Sequence, residues 1–449
     1  MHGHKPVLQI AHISDMHFVH PEFERKVSEA VLRRLLRRFD RLRPALPASF
    51  ETYWDSIYER SQRLYHRYEK GYWGHDPQVE TILPDDIRRH VKRDEEWRDA
   101  PLWLIDTGDL STWGDDASID MAKNMLAQCA KALETQDVIC IHGNHDTWPE
   151  RFPLSCTSKT ARDRHREGLR DKHFNFQYPD QHVLVAPIPG TKSSVVLNRL
   201  NSAVHTRIRN SFAQGHIRED QYWRNSTSPQ LYHQLEKLLE KSITIDGKRT
   251  NDMRIILSHH PINASFPNTS AGKEGNLIRL LDAPSIARFL SQPRQELGNE
   301  PLAHLILSGH THAVYPPIGE MQHYHQNDEN GLPFQLIAGS VSRLGSLVEF
   351  EDNGESPEQL ADELLLDSYD EARYLPSKIP PEDEIDVIYQ HQFQVLRFWK
   401  PDISPPDDRP YLVLERTVYG RRMGSGRFSQ IQNTCNLSTN QLEHILLYY

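Results

Sequence analysis

Along the chain, apolar residues gather in short runs of strand length: "VLQIAHIS" (7–14), "LWLIDTG" (102–108), "DVICIHG" (137–143), "HVLVAPI" (182–188), "RIILSHH" (254–260), "LAHLILSGH" (302–310) and "FQLIAGS" (334–340). Several are rich in Ile and Val, and most end in glycine or clustered polar residues, as buried strands do. Between them lie stretches with helical spacing of apolar positions, at 118–134, 228–241 and 283–292. Strands alternating with helices predict a layered α/β fold with buried sheets. Further on, "QFQVLRFW" (392–399) and "PYLVLERTVYG" (410–420) alternate like half-buried strands and are expected to complete a second sheet.

Three segments interrupt this plan. In the first, residues 20–100, Val27, Val31, Leu32, Leu35, Leu36, Phe39 and Leu42 form an apolar stripe with arginines opposite. A second stripe, Trp54, Ile57, Tyr58, Tyr65 and Tyr68, stops at Gly71, so the segment reads as a helical hairpin. Its aromatic face serves as hairpin core, or as a lid over a site. Glu22, Glu24, Glu29 and Asp40 dilute the arginines, which favours a solvated face over a membrane or nucleic-acid patch. The second, 263–276, is a Gly/Ser/Asn-rich loop, and the third, 349–386, is an acidic, proline-punctuated surface insertion. The expected organisation is one domain over 1–449, with 387–449 supplying the strands that finish the second sheet.

Composition narrows the class. Hydrophobic residues make up 37% and charged ones 25%, ordinary values for a globular protein, and mean hydropathy is −0.66. No apolar run approaches the length a bilayer requires. "MHGHKPVLQIAHIS" passes into a strand pattern without the order of a secretory signal, so a cytoplasmic location is expected. The four cysteines, Cys129, Cys140, Cys156 and Cys435, are scattered with no metal or disulfide spacing. A net charge of −10 disfavours long nucleic acid as a partner, because phosphate chains are bound by basic excess.

Five of the apolar runs end in a polar cluster: "SDMH" (14–17), "GDLS" (108–111), "GNHD" (143–146), "SHHP" (258–261) and "GHTH" (309–312). In open α/β sheets, sites form where carboxyl ends of strands converge, so five such clusters imply one site. The residues are Asp, His and Asn without cysteine, a mixed oxygen and imidazole set that suits Mn, Fe, Zn or Ni. In "DMH" and "HTH" the side chains at i and i+2 share a face if the segment is extended, so each pair can clasp one ion. The glycines before Asp109, Asn144 and His310 are expected to let the chain turn out of the sheet.

The order D-x-H, GD, GNHD, H-x-P, G-H-x-H resembles that of the calcineurin-like metallophosphoesterases. The resemblance implies a four-layer α/β/β/α sandwich of two mixed sheets, here with the helical-hairpin insertion. It implies two divalent ions, with Asp15, His17 and His312 on one, Asn144, His259 and His310 on the other, and Asp109 bridging. It makes His145 the catalytic residue and gives Asp146 the task of orienting it. His259 is preferred over its neighbour His260 because the family ligand stands two positions before the proline. His142 departs from the family, in which proline often precedes "GNHD". His2, His4, His12, His20 and His142 are expected to be solvated or satisfied by hydrogen bonds.

Two divalent ions bring about +4 and the two aspartates return about −2, so the site stays cationic inside an acidic protein. Such a centre lowers the pKa of a bound water and orients a phosphoryl group for in-line attack by metal-bridging hydroxide, while His145 assists the leaving group. "GNHD" with "GDLS" looks like the class III cyclic-nucleotide phosphodiesterase branch. "GDLSTWG" lacks the arginine that grips a monoester, which favours a diester, such as a nucleotide or cyclic nucleotide. The alternatives are a metal-dependent nuclease of the same superfamily and a non-catalytic metal-binding docking protein.

Overall fold

A computed structural model describes residues 4–20, 75–112, 114–147, 184–203, 252–262, 283–312, 314–316, 332–342, 391–402, 410–421, 427–431 and 443–449, with isolated positions at 215, 235, 238–240, 242, 280 and 321. The stripes at 27–68, the loop at 263–276 and the acidic segment at 349–386 lie outside the described residues.

The chain builds two sheets. In the first, β1 (His4–Ile13) lies parallel to β2 (Leu102–Asp106), and β2 parallel to β3 (Val138–Cys140). On the other side of β1 come β9 (His391–Pro401) and β10 (Tyr411–Arg421), antiparallel, with β11 (Ser429–Gln430) and β12 (Glu443–Tyr448) both paired to β10. The second sheet runs β4 (Leu184–Pro187), β5 (Ser194–Arg199), β6 (Met253–Leu257), β7 (Leu305–Ser308), β8 (Phe334–Ile337), parallel except for the edge strand β4.

Period-2 alternation explains how one sheet serves two cores. Leu8, Ile10, Trp103, Ile105, Leu396 and Phe398 face the second sheet and pack with Val195, Leu197, Ile255, Leu257, Leu305 and Leu336. Ala11, Ile13, Leu104, Val138, Phe393 and Val395 face the opposite way, against α1 (Pro77–Val91) and α2 (Asp116–Leu133). Beyond the second sheet, α3 (Ala283–Ser291) covers Ile256 and Ile306. The result is the four-layer α/β/β/α sandwich.

One expectation changes, and one strand was not expected. The strands at 391–401 and 411–421 belong to the first sheet, because β9 pairs with β1 along nearly its whole length. In addition, β5 carries no alternation in "SVVLNR", since all six residues are buried, and its polar members conceal it as a strand. Within 20–100, α1 begins on Asp76, whose carboxylate accepts from the Gln78 amide, and contains Pro84.

Candidate metal centre

Parallel strands deliver their carboxyl ends to one edge, and the polar clusters meet there. The β1–β2 pairing continues past both strands, with Asp15 N donating to Gly108 O at 2.9 Å and His17 N to Asp109 O at 2.9 Å. The second sheet is tied on through His310 N, which donates to the Asp15 carboxylate at 3.0 Å. Asp109 Oδ1 accepts from His145 N at 2.9 Å, linking β2 to the turn after β3.

The backbone at this edge is unusual. Asp15, His17, Asp109, His310 and His312 all have φ between 50° and 75°. Non-glycine residues rarely enter this left-handed region, and clusters of them mark functional sites. The i, i+2 pairs therefore do not come together by extended alternation, as expected; tight left-handed turns bring them together. The glycines also differ from expectation. Gly108, at φ +106°, serves both a turn and a close approach, since a Cβ there would sit 2.6 Å from Gly143 N, whereas Gly143 and Gly309 serve close approach alone. A Cβ on Gly143 would sit 1.9 Å from Asp109 Oδ1, and one on Gly309 would sit 1.9 Å from Ser14 Oγ and 2.7 Å from Asp15 Oδ2.

The side chains form two adjoining clusters, all buried. In one, His17 Nε2 and His312 Nε2 are 3.1 Å apart, His312 Nε2 lies 3.3 Å from Asp15 Oδ1, and His17 Nε2 lies 3.6 Å from Asp109 Oδ2. In the other, His259 Nε2 is 2.9 Å from Asn144 Oδ1, 3.1 Å from His310 Nδ1 and 3.4 Å from Asp109 Oδ2. Ligand atoms around one ion, each about 2.1 Å from it, are separated by about 3.0–3.4 Å, so these spacings fit a metal. Among the described residues no hydrogen-bond donor pairs with the buried Asp109 Oδ2, as suits an oxygen reserved for cations.

The electrostatics agree. Burial alone would raise the carboxyl pKa of Asp15 and of Asp109, yet the imidazoles around them hold both below the usual carboxylate range, His312 foremost for Asp15 and His259 for Asp109. Burial likewise opposes charge on His259, but Asp109 and Asp15 raise its pKa to about 9. At full burial the two carboxylates are matched by positive charge, either the imidazolium proton of His259 or a cation that replaces it.

Tautomers follow from the partners. His259 Nδ1 donates to the Thr107 carbonyl at 2.8 Å, which leaves Nε2 facing the centre. His145 Nδ1 donates to the Thr112 carbonyl at 3.0 Å, and its Nε2 lies 4.0 Å from Asp109 Oδ2. His260 groups with His259 and His310 in the second cluster, its ring packed on His310 with centroids 4.5 Å apart and its Nδ1 bonded to Ser202 Oγ at 2.9 Å. Asp146 is buried beside His145. Its carboxylate accepts from the amides of Ser111 and Gly143, each at 2.9 Å, so it clamps "GDLS" to "GNHD" while Thr112 holds the imidazole. Burial and the Asp109 charge raise the Asp146 pKa to about 7.

Sequence reasoning missed the holders of the first loop. After β8, Ser340 Oγ donates to Asp15 O at 2.7 Å and Val341 N donates to Ser14 O at 3.1 Å. "FQLIAGS" is itself a strand ending in small polar residues, which was the available signal. His142 is buried at the turn but belongs to neither cluster.

Among solved structures, a purple acid phosphatase from yellow lupin (Lupinus luteus) seeds is 13% identical, with a TM-score of 0.39, over 95% of this chain and 53% of that one. The Thermus thermophilus sulfate thiohydrolase SoxB, in complex with glycerol, is 11% identical, with a TM-score of 0.31, over 76% of this chain and 52% of that one. The chain spans about half the length of each of these structures. No curated protein matches it. The family model for calcineurin-like phosphoesterases matches residues 8–314, more than half of the 449 residues and every one of the five polar clusters, and the chain belongs to that family.

Proposed function

We propose that the protein is a binuclear metal-dependent phosphoesterase acting on a small phosphodiester. Asp15, His17 and His312 would hold one divalent ion, Asn144, His259 and His310 the other, and Asp109 would be shared. The observation that carries this reading is the position of Asp109 Oδ2, 3.6 Å from His17 on one side and 3.4 Å from His259 on the other. The nitrogen and oxygen donor set suits Mn, Fe, Zn or Ni.

Two bound ions would supply Lewis-acid activation of water and neutralise charge on the phosphoryl oxygens. The chain's own residues do the rest. The left-handed turns and the serine hydroxyl after β8 hold the ligands before substrate arrives, and Asp146 locks the two loops together. Thr112 aims the His145 ring so that Nε2 can give a proton to the departing alkoxide oxygen. Asn144 contributes no charge, which leaves the centre more cationic than an aspartate would.

The diester preference is supported by the absence of arginine in "GDLSTWG", and the small substrate, a nucleotide or cyclic nucleotide, by the net charge of −10. One domain organised by the two sheets is supported by the apolar core they share. No helix among the described residues is long and apolar enough to cross a membrane.

Hydrolysis of bis-p-nitrophenyl phosphate and p-nitrophenyl phosphate with added Mn²⁺ tests the reading, with Asp109→Ala as control. Faster turnover of the diester is expected. Absence of metal-dependent turnover of both would leave a docking role, and cleavage of single-stranded DNA would point to a nuclease.

A further inference from the structure

His12 sits in the middle of the first sheet, fully buried, opposite Gln394 of β9 and beside Ile105 of β2. Its two ring nitrogens are both engaged. Gln394 Nε2 donates to Nδ1 at 2.8 Å, so Nε2 carries the proton and donates to Thr107 Oγ1 at 3.1 Å. Thr107 is also tied by its amide to Ile13 O at 3.2 Å, and its carbonyl is the acceptor that fixes His259. Immediately after it comes Gly108 at φ +106°, where the backbone has little steric restraint of its own.

We infer that Gln394, His12 and Thr107 form a hydrogen-bonded relay that positions His259, with Thr107 and His12 as positioning residues for the ion held by Asn144, His259 and His310. The inference rests on the reading of His259 as a metal ligand. The side-chain anchor on Thr107 orients the peptide whose carbonyl holds the imidazole, and that carbonyl selects the tautomer that turns Nε2 to the centre. Burial holds His12 neutral, with a pKa lowered to about 3, so the donor at Nε2 keeps one sense throughout the ordinary pH range. A core histidine satisfied for stability alone would make the same two bonds but would leave metal affinity untouched.

The experiment uses the full chain, stripped by chelator and titrated with Mn²⁺ by calorimetry, with low-temperature electron paramagnetic resonance on the loaded protein. Thr107→Val keeps the shape and removes the hydroxyl; Thr107→Ser keeps the hydroxyl; Gln394→Leu removes the far end of the relay. Thr107→Val should weaken one of two Mn²⁺ binding events by about 10- to 100-fold, while Thr107→Ser stays within about twofold of the parent and Gln394→Leu falls between. At sub-saturating Mn²⁺ the spin-coupled pair signal of the parent should give way to an isolated-ion signal in Thr107→Val. A parent that binds two ions alongside a Thr107→Val protein that binds both unchanged overturns the relay. An equal loss in Thr107→Ser overturns it too, because the hydroxyl would then be irrelevant. A parent that binds no Mn²⁺ overturns the metal reading itself. If Thr107→Val does not fold, as judged by its melting curve, the Gln394→Leu arm decides by the same two readouts.

Discussion

The two halves of the centre are built on different principles. The half formed by Asp15, His17, Asp109 and His312 contains both buried carboxylates, and all four residues have left-handed backbones. The half formed by Asn144, His259 and His310 has no carboxylate except the shared Asp109, and only His310 is left-handed. Charge would dominate the holding of an ion in the first half, and geometry would carry more of the burden in the second. Coulomb attraction tolerates small displacements, whereas a neutral ligand works only when its lone pair is aimed. The loop holders fit this difference. Ser340 fastens the backbone of the first half, and the Thr107 carbonyl fastens the imidazole of the second.

Asp109→Ala removes the group common to both halves. Both ions should be lost from metal analysis, and metal-dependent turnover should fall by on the order of 10³-fold or more. Retention of two ions would mean that the halves are independent. Next in size is His145→Ala, which belongs to neither half: kcat should drop by about 10²- to 10⁴-fold with both ions kept. A variant that loses an ion along with its rate would make His145 a ligand.

A paired exchange sharpens the charge argument. Asp15→Asn should weaken the first binding event by about 10- to 100-fold and spare the second, while Asn144→Asp should tighten the second and slow turnover. Calorimetry with Mn²⁺, read beside kcat, separates the two outcomes; equal effects of Asp15→Asn on both events would erase the distinction between the halves.

The smallest effect lies away from the centre and serves as a control. His391 is fully buried beside Asp76 and Arg421, and burial lowers its pKa from 6.5 to about 4. The unfolded chain binds this proton first, so stability is present above pH 6.5 and is lost as pH falls towards 4, at up to about 1.4 kcal/mol per pH unit. Urea unfolding of the parent and of His391→Gln at pH 7 and pH 5 measures it. The parent should lose more stability than the variant over that interval.

Much of this molecule was legible in its sequence. "VLQIAHIS", "LWLIDTG" and "RIILSHH" read as strands because burial on both faces leaves continuous apolar runs, and they are β1, β2 and β6. β5 was not legible, since Ser194, Asn198 and Arg199 are buried in spite of their polarity. The clusters "SDMH", "GDLS", "GNHD", "SHHP" and "GHTH" stood out because each closes a strand. Their partners at Thr107, Thr112 and Ser340 did not, because hydroxyl and carbonyl groups act wherever the fold brings them and carry no spacing of their own.

What the sequence determined by itself was local. Apolar runs marked most of the strands, helical spacing marked α2 and α3 of the outer layers but not α1, and the polar strand ends supplied Asp, Asn and His donors. The tertiary structure decided which donors adjoin, that Asp109 stands between the halves, that Gly143 and Gly309 answer to collisions and not to turns, and that β9 lies beside β1. Those decisions depend on pairs such as Ser340 with Asp15 and Gln394 with His12, separated by 325 and 382 residues. No local period can encode a contact at that separation, because only the packing of both sheets determines which loops face each other.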